Sequence, residues 1–149
     1  MTSSIRRNRS RRGSALVEFS LTAFLLLMVI FGVIEMQRML LVYTTLNNAA
    51  RVGVRYAITH GQDRASGSGV DGPSSSVDHS QVDTVVKNFA SAGLLTTSAL
   101  VITVDYPDAA TRPGDRVKVN VKYTYDPIVR WFKPLQVTLG STSWGRITF

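Results

Sequence analysis

Apolar positions along this chain follow three successive patterns: an unbroken run, a repeat of three and four residues, and a strict alternation. The run comes first. It extends from Ser14 to Ile34 with Glu18 as its only charge. At ~1.5 Å rise per residue a helix of that length covers roughly 30 Å, the thickness of bilayer hydrocarbon. Leu, Ile, Val and Phe fill most positions between Ala15 and Ile34. At about −0.3 to −0.6 kcal/mol each they supply together on the order of −4 to −8 kcal/mol for insertion. An acidic residue at mid-bilayer costs roughly +2.5 to +3.5 kcal/mol, and less near an end, where Glu18 sits. Insertion wins, and the pattern predicts a transmembrane segment over residues 14–35.

The repeat follows without a break. Met39, Val42, Leu46, Ala49, Gly53 and Tyr56 recur at helical spacing, with Ala50 and Ala57 beside them, while Thr44, Asn48, Arg51 and Arg55 mark the opposite face. This is amphipathic helix spacing, and no proline interrupts Ser14 to Ile58. One long helix is expected, lipid-crossing in its lower half and amphipathic over 36–58. Residues 59–79 are rich in Gly, Ser and Asp with no apolar period, which predicts an exposed loop. A second helix is expected after it. Ser80 stands as its cap, Asp83 holds the capping-box position, Gly93 closes it, and Val82, Val85, Val86 and Phe89 form its apolar face. Alternation then takes over. Leu100 to Tyr106 predicts a strand and "TRPGD" at Thr111 to Asp115 a turn. "VKVNVKYTY" sets Val117, Val119, Val121, Tyr123 and Tyr125 on one face against Lys118, Asn120, Lys122 and Thr124 on the other. Gln136 to Phe149 reads as a third strand, less regular around Gly140 and Gly145. The expected fold class is α+β: a long N-terminal helix, a second short helix, and a small three-stranded antiparallel sheet whose apolar face packs on the helices.

Charge changes the picture less than its total implies. The chain of 149 residues carries a net charge of +7, which by itself points to nucleic acid. Five arginines, Arg6, Arg7, Arg9, Arg11 and Arg12, precede the apolar run; without them 12 basic residues face 10 acidic ones. Arginines flanking an apolar segment mark a cytoplasmic flank, which holds the N-terminus inside and places the remainder outside. No nucleic-acid partner is expected. Cysteine is absent, which removes disulfides, thiolate metal sites and cysteine nucleophiles together. Asp63, Asp71 and Asp78 do not fit the spacing of a calcium loop. His79 beside Asp78 lacks a serine in a strand-to-helix elbow. No enzyme, metal site or cofactor is expected.

A cleaved secretory signal fits poorly, since its apolar region is about 7 to 15 residues and ends at a small-residue site. Here the run is longer, and "GVIEMQRML" follows it. "SRR" at Ser10 to Arg12 hints at a twin-arginine signal, but Glu18 suits neither kind of export signal. "GSALVEF", Gly13 to Phe19, resembles instead the processing site of type IV pilin-like proteins of the tight-adherence (Tad, or Flp) pilus system. Their pattern is a glycine, four residues, then a glutamate and an aromatic. "GVIEMQRML" and "NNAARVGVRYA" resemble the rest of the TadE-like pseudopilin pattern, so the likeness covers roughly residues 11 to 57. Gly32 and Glu35 fit it, whereas Met36 and Gln37 stand where an aromatic and a glycine are common.

The resemblance implies a pilin-like fold and cleavage between Gly13 and Ser14 by a membrane aspartic prepilin peptidase, which removes residues 1–13 as a leader. It implies that Glu18 registers an incoming subunit by meeting the Ser14 amine. The implied partners are that peptidase, the major and other minor pilins, an inner-membrane assembly platform and the lipid bilayer of the bacterial cytoplasmic membrane. A domain over 80–149 argues for a minor subunit or assembly factor, because the major pilins of this system are little more than a leader and one helix. Trp131 and Phe132, in "PIVRWFKPL", are either core cover or an anchor for another pilin. The rival reading is a membrane-anchored extracytoplasmic domain for binding or sensing that is never processed.

Overall fold

The computed structural model describes residues 10–61, 78–93, 95–108, 111–128 and 137–148, with side chains from residue 13 onward. Helix α1 runs Ser10–Thr59 and helix α2 Ser80–Ala92. A 3₁₀ turn, Thr97–Ala99, leads into strand β1 (Leu100–Asp105), followed by β2 (Arg116–Tyr125) and β3 (Val137–Arg146). The three strands form an antiparallel meander in the order β1-β2-β3. This is the α+β arrangement that the three patterns predict.

The chain divides into two compact units, residues 1–37 and 38–149. In the described part of the first, the apolar side chains have no protein cover. Leu16, Val17, Phe19 and Leu21 are each at least 60% exposed. An apolar surface this continuous is at home in lipid and not in water. α1 is long and apolar enough to cross a membrane from Gly13 onward.

The second unit has its own core. α1 contributes Val42, Leu46, Ala49, Ala50, Val54 and Ala57, all buried, while Thr44, Asn48, Arg51 and Arg55 lie on the more open side. α2 adds Val82, Val86 and Ala90. The apolar face of α2 is turned relative to the expected one, because buried positions follow the four-residue ridge. Ala90 goes inside and Phe89 lies at the rim, 38% exposed. β2 alternates as its sequence dictates, with Val117, Val119, Val121, Tyr123 and Tyr125 buried.

Small residues set how closely the layers approach. A Cβ on Gly53 would lie 2.6 Å from Val86 Cγ2 and 3.2 Å from Val119 Cγ1, so α1 meets both α2 and β2 at this point. A Cβ on Gly145 would lie 2.5 Å from Val54 Cγ1 and 2.6 Å from Ile58 Cγ2. The inward positions of β3 are Val137, Leu139, Ser141, Ser143 and Gly145, so the apolar alternation stops after Leu139, which packs on the core; at Gly145, Val54 and Ile58 of α1 occupy the space that a larger side chain would fill. Ser141 donates to Asn47 Oδ1 at 2.6 Å, fixing β3 to α1. Gly93 follows α2 at φ −83°, so its smallness serves packing and not a left-handed cap; a Cβ there would meet Thr45 Cγ2 at 2.5 Å.

Two local expectations are corrected. The residue capping α2 is His79, with no side-chain cap bond, and Ser80 is already helical. Asp78 takes the capping role, accepting from Ser80 N at 3.2 Å and from Ser80 Oγ at 2.7 Å. Those hydrogen bonds to its charged form hold the Asp78 carboxyl below its ordinary range. Asp83 makes no capping box: its Oδ1 is buried with no hydrogen-bond partner. The predicted turn does form. Gly114 sits at φ +98°, Asp115 N donates to Arg112 O at 3.0 Å, and Asp115 Oδ2 accepts from Arg112 N at 2.9 Å.

Candidate processing and assembly site

Gly13, Ser14, Glu18 and Phe19 all lie on α1 and all are exposed. Ser14 and Glu18 stand four residues apart, which puts them on one face of the helix, one turn apart. Nothing lies within 4 Å of the position a Gly13 Cβ would take, and Phe19 is 72% exposed. The helix extends back to Ser10, so the Gly13–Ser14 peptide bond is helical in the intact chain. Glycine weakens a helix interior by about 0.8–1 kcal/mol relative to alanine. Among the residues around the bond, Gly13 is therefore where the helix opens most easily.

The chemistry available here is that of charge pairing. In the intact chain Ser14 N is an amide and carries no charge. Once a free amine stands at that position, the ordinary α-amino pKa of about 7.7–8.0 leaves it largely protonated at neutral pH. A carboxylate one turn along the same face can then neutralise it, at a helix end where the macrodipole already favours an anion.

Other residues singled out from the sequence fall elsewhere. Trp131, Phe132, Asp63 and Asp71 lie outside the described residues, as do residues 1–9 of the basic leader. Ile128, from the same apolar cluster as Trp131, is 70% exposed. Asp78 is engaged with Ser80, as above. His60 follows the last residue of α1, and its side chain is buried where the sequence predicts an exposed loop. Its ring stacks on Tyr56 with centroids 3.8 Å apart, and its Nδ1 lies 2.8 Å from Tyr56 O. Among the described residues no three His, Asp or Glu side chains gather in a geometry that would hold a metal ion. Arg38 places its guanidinium 5.2 Å from the Tyr125 ring centroid and its Nη1 3.4 Å from Asp126 O. Sequence spacing gives no signal for that contact, because its partners come from the far end of β2.

An exposed apolar helix with one early carboxylate, joined in sequence to a small α+β domain, defines a protein whose working parts are surfaces. The comparison with known families makes that class particular: residues 13–55 match the TadE-like protein family, so this stretch of the chain is TadE-like. That family is pilus-associated, belongs to the Tad system, and has no known enzymatic activity. The matched residues begin at Gly13 and end at Arg55 of α1, and so include both the glycine-to-glutamate motif and most of the amphipathic repeat. No curated protein and no solved structure matches the chain.

Proposed function

We propose that the chain is a minor pilin-like subunit or assembly factor of a Tad-type pilus, acting by helix packing and subunit contacts after prepilin peptidase cleavage. The observation that carries this reading is a coincidence of position. The family match begins at Gly13, where an exposed apolar helix carries a glutamate one turn after Ser14. On this reading the basic leader stays in the cytoplasm, the helix crosses the cytoplasmic membrane once, and the domain faces outward. Processing between Gly13 and Ser14 by a membrane peptidase needs the local helix to open, and Gly13 supplies the weak point.

Glu18 is read as meeting the amine of a neighbouring subunit. Within one solvated helix an ion pair one turn apart is worth only about 0.2–0.5 kcal/mol. Leaving a carboxylate uncompensated in the bilayer costs up to roughly 2.5–3.5 kcal/mol. Pairing Glu18 with an α-amine offsets that cost, which is smaller near the end of the span where Glu18 sits, and a pair made with the amine of an adjacent subunit places the gain at the moment of assembly. The partners are then the peptidase, the other pilins and an inner-membrane platform.

One observation favours the rival, an unprocessed anchor: α1 runs unbroken through the Gly13–Ser14 bond. N-terminal sequencing of the protein from cells with an active prepilin peptidase separates the two. A mature start at Ser14 is expected, and an intact leader overturns the pilin reading. Glu18→Ala is expected to be processed yet to co-assemble poorly with the other pilins. Wild-type incorporation would remove the role assigned to the carboxylate.

A further inference from the structure

We propose that the outer face of the sheet is a binding platform for an acidic polysaccharide, a sugar chain bearing carboxylates, with Trp144 as its stacking surface. The face away from the helices is built in rows by the strand register. Asp105, Lys118 and Trp144 form one row; Thr103, Asn120 and Thr142 the next; Val101, Lys122 and Gly140 a third. Trp144 is 57% exposed and contributes nothing to the core. Lys118 Nζ lies 5.2 Å from its ring centroid and 3.9 Å from Asp105 Oδ2, which holds both the ammonium and the ring in place.

Charge identifies the ligand. Among the described residues the outward positions of the strands carry four cations, Arg116, Lys118, Lys122 and Arg146, against the carboxylate of Asp105, with that of Asp108 beside Arg116. Both carboxylates are engaged, Asp108 by Arg116 at 2.9 Å and Asp105 by Lys118. Arg146 stands directly across from Arg116, and the Asp108 carboxylate acts on both, which leaves one positive charge in excess at that end of the face. The surplus cations also flank the tryptophan. Arg146 is two residues along the same strand, roughly 7 Å away, and Lys122 is two rows off, roughly 13 Å.

A pyranose presents a C–H face that suits the negative face of an aromatic ring, hydroxyls that suit the exposed Thr103 and Thr142, the latter held by Asn120 Nδ2 at 3.0 Å, and, when oxidised to a uronate, a carboxylate for Arg146 or Lys122. A lipid surface fits less well. The polar row separates Val101 from Trp144, so inserting both into acyl chains would strip water from the exposed Thr103 and Thr142. Single-stranded nucleic acid fits less well too, because its platforms stack successive bases on several aromatics over a continuous basic groove, and this face offers one aromatic and spaced charges.

The placement outside the cell rests on the proposed export of this domain, but the binding itself does not. The test uses the full-length chain in uncharged detergent with Trp131→Phe, leaving Trp144 as the only tryptophan. Oligogalacturonate is expected to change its fluorescence saturably and to bind more weakly as salt rises, since the contacts are exposed. A maltooligosaccharide of equal length is expected to bind at least about tenfold more weakly. By calorimetry, Trp144→Ala and the double variant Lys122→Gln/Arg146→Gln are each expected to weaken binding about tenfold or more with unchanged thermal unfolding. Trp144→Phe, which keeps a smaller ring, is expected to retain part of the affinity and serves if the alanine variant unfolds. Equal binding of the neutral sugar, full binding by folded Trp144→Ala, or a Trp144 fluorescence change that a single-stranded oligonucleotide produces at lower concentration than oligogalacturonate would overturn the proposal. An uncleaved leader in cells would sink the pilin reading and leave this result standing.

Discussion

Gly53 shows what a single position can hide. Its place on the helical stripe is plain in the sequence, but the reason for its size is not. That reason lies in Val86 and Val119, which come from α2 and β2 and pack against the same point. Gly53→Ala is expected to destabilise the domain by about 1–3 kcal/mol, the usual range for overpacking a filled core. Unfolding in detergent reads this, with Gly32→Ala as the control, since nothing lies within 4 Å of a Cβ there. Asp83 is legible as a residue of the second helix but not as a buried acid. Burial raises its pKa, against the smaller opposing pull of His79 and Lys87. The sign follows from linkage. As pH rises past the ordinary carboxyl pKa of about 3.9, the unfolded chain releases this proton before the folded one. Stability therefore falls until the raised folded pKa is passed, then levels off. Asp83→Asn is expected to be more stable than wild type at neutral pH and equal to it near pH 3. A gain that persists at pH 3, or no gain at pH 7, would contradict burial as the dominant effect.

At the scale of elements, legibility follows how local the cause is. β2 is fully readable because its alternation of large apolar and polar side chains reports one buried face directly. The stripe of α1 is readable for the same reason at a helical period. β3 is readable only in its first half, where Val137 and Leu139 are its inward residues; Ser141, Ser143 and Gly145 follow on that side, and the closeness of α1 at Gly145 leaves no apolar signal there. The cap of α2 is ambiguous in sequence because Asp78 and Ser80 are both good capping residues, and only geometry shows which oxygen accepts. The hydrogen bond from Ser141 to Asn47 turns the small-residue strand into a fixed layer. Ser141→Ala removes the donor and leaves Asn47 Oδ1 without it in a half-buried site, so a loss of about 1–2 kcal/mol is expected. Equilibrium denaturation measures this, and Asn47→Ala in the Ser141→Ala background should add little. Additive losses would show that the two side chains stabilise the fold separately. The candidate assembly site is legible as a motif, glycine to glutamate at fixed spacing, because its residues are contiguous. The contact of Arg38 with Tyr125 is not, because nothing near Arg38 in the sequence announces it.

For the whole molecule, the division of apolar residues between two environments has a thermodynamic consequence. Every buried core residue of the domain comes from Val42 to Ile147, and none from residues 10–37. The domain is held by side-chain packing that heat disrupts cooperatively. The apolar part of α1 is held by backbone hydrogen bonds that have no competitor in hydrocarbon, where breaking each leaves polar groups without water. Heating the full-length protein in micelles should therefore proceed in two stages. The strand signal and the tertiary signal of the buried tyrosines are expected to vanish together at one midpoint. The helical signal of the apolar segment is expected to persist above it, and amide exchange should map the surviving protection to the stretch before Arg38. Gly53→Ala and Ser141→Ala should lower that midpoint and leave the residual helicity unchanged. Loss of all helicity in the same transition would mean that the N-terminal segment depends on the domain for its structure, and the apolar run would then no longer account for it by itself. Retention of the helix alone is what assembly by packing needs, since a segment that stays helical independently of its domain can lie against a neighbour whatever the state of the fold beyond it.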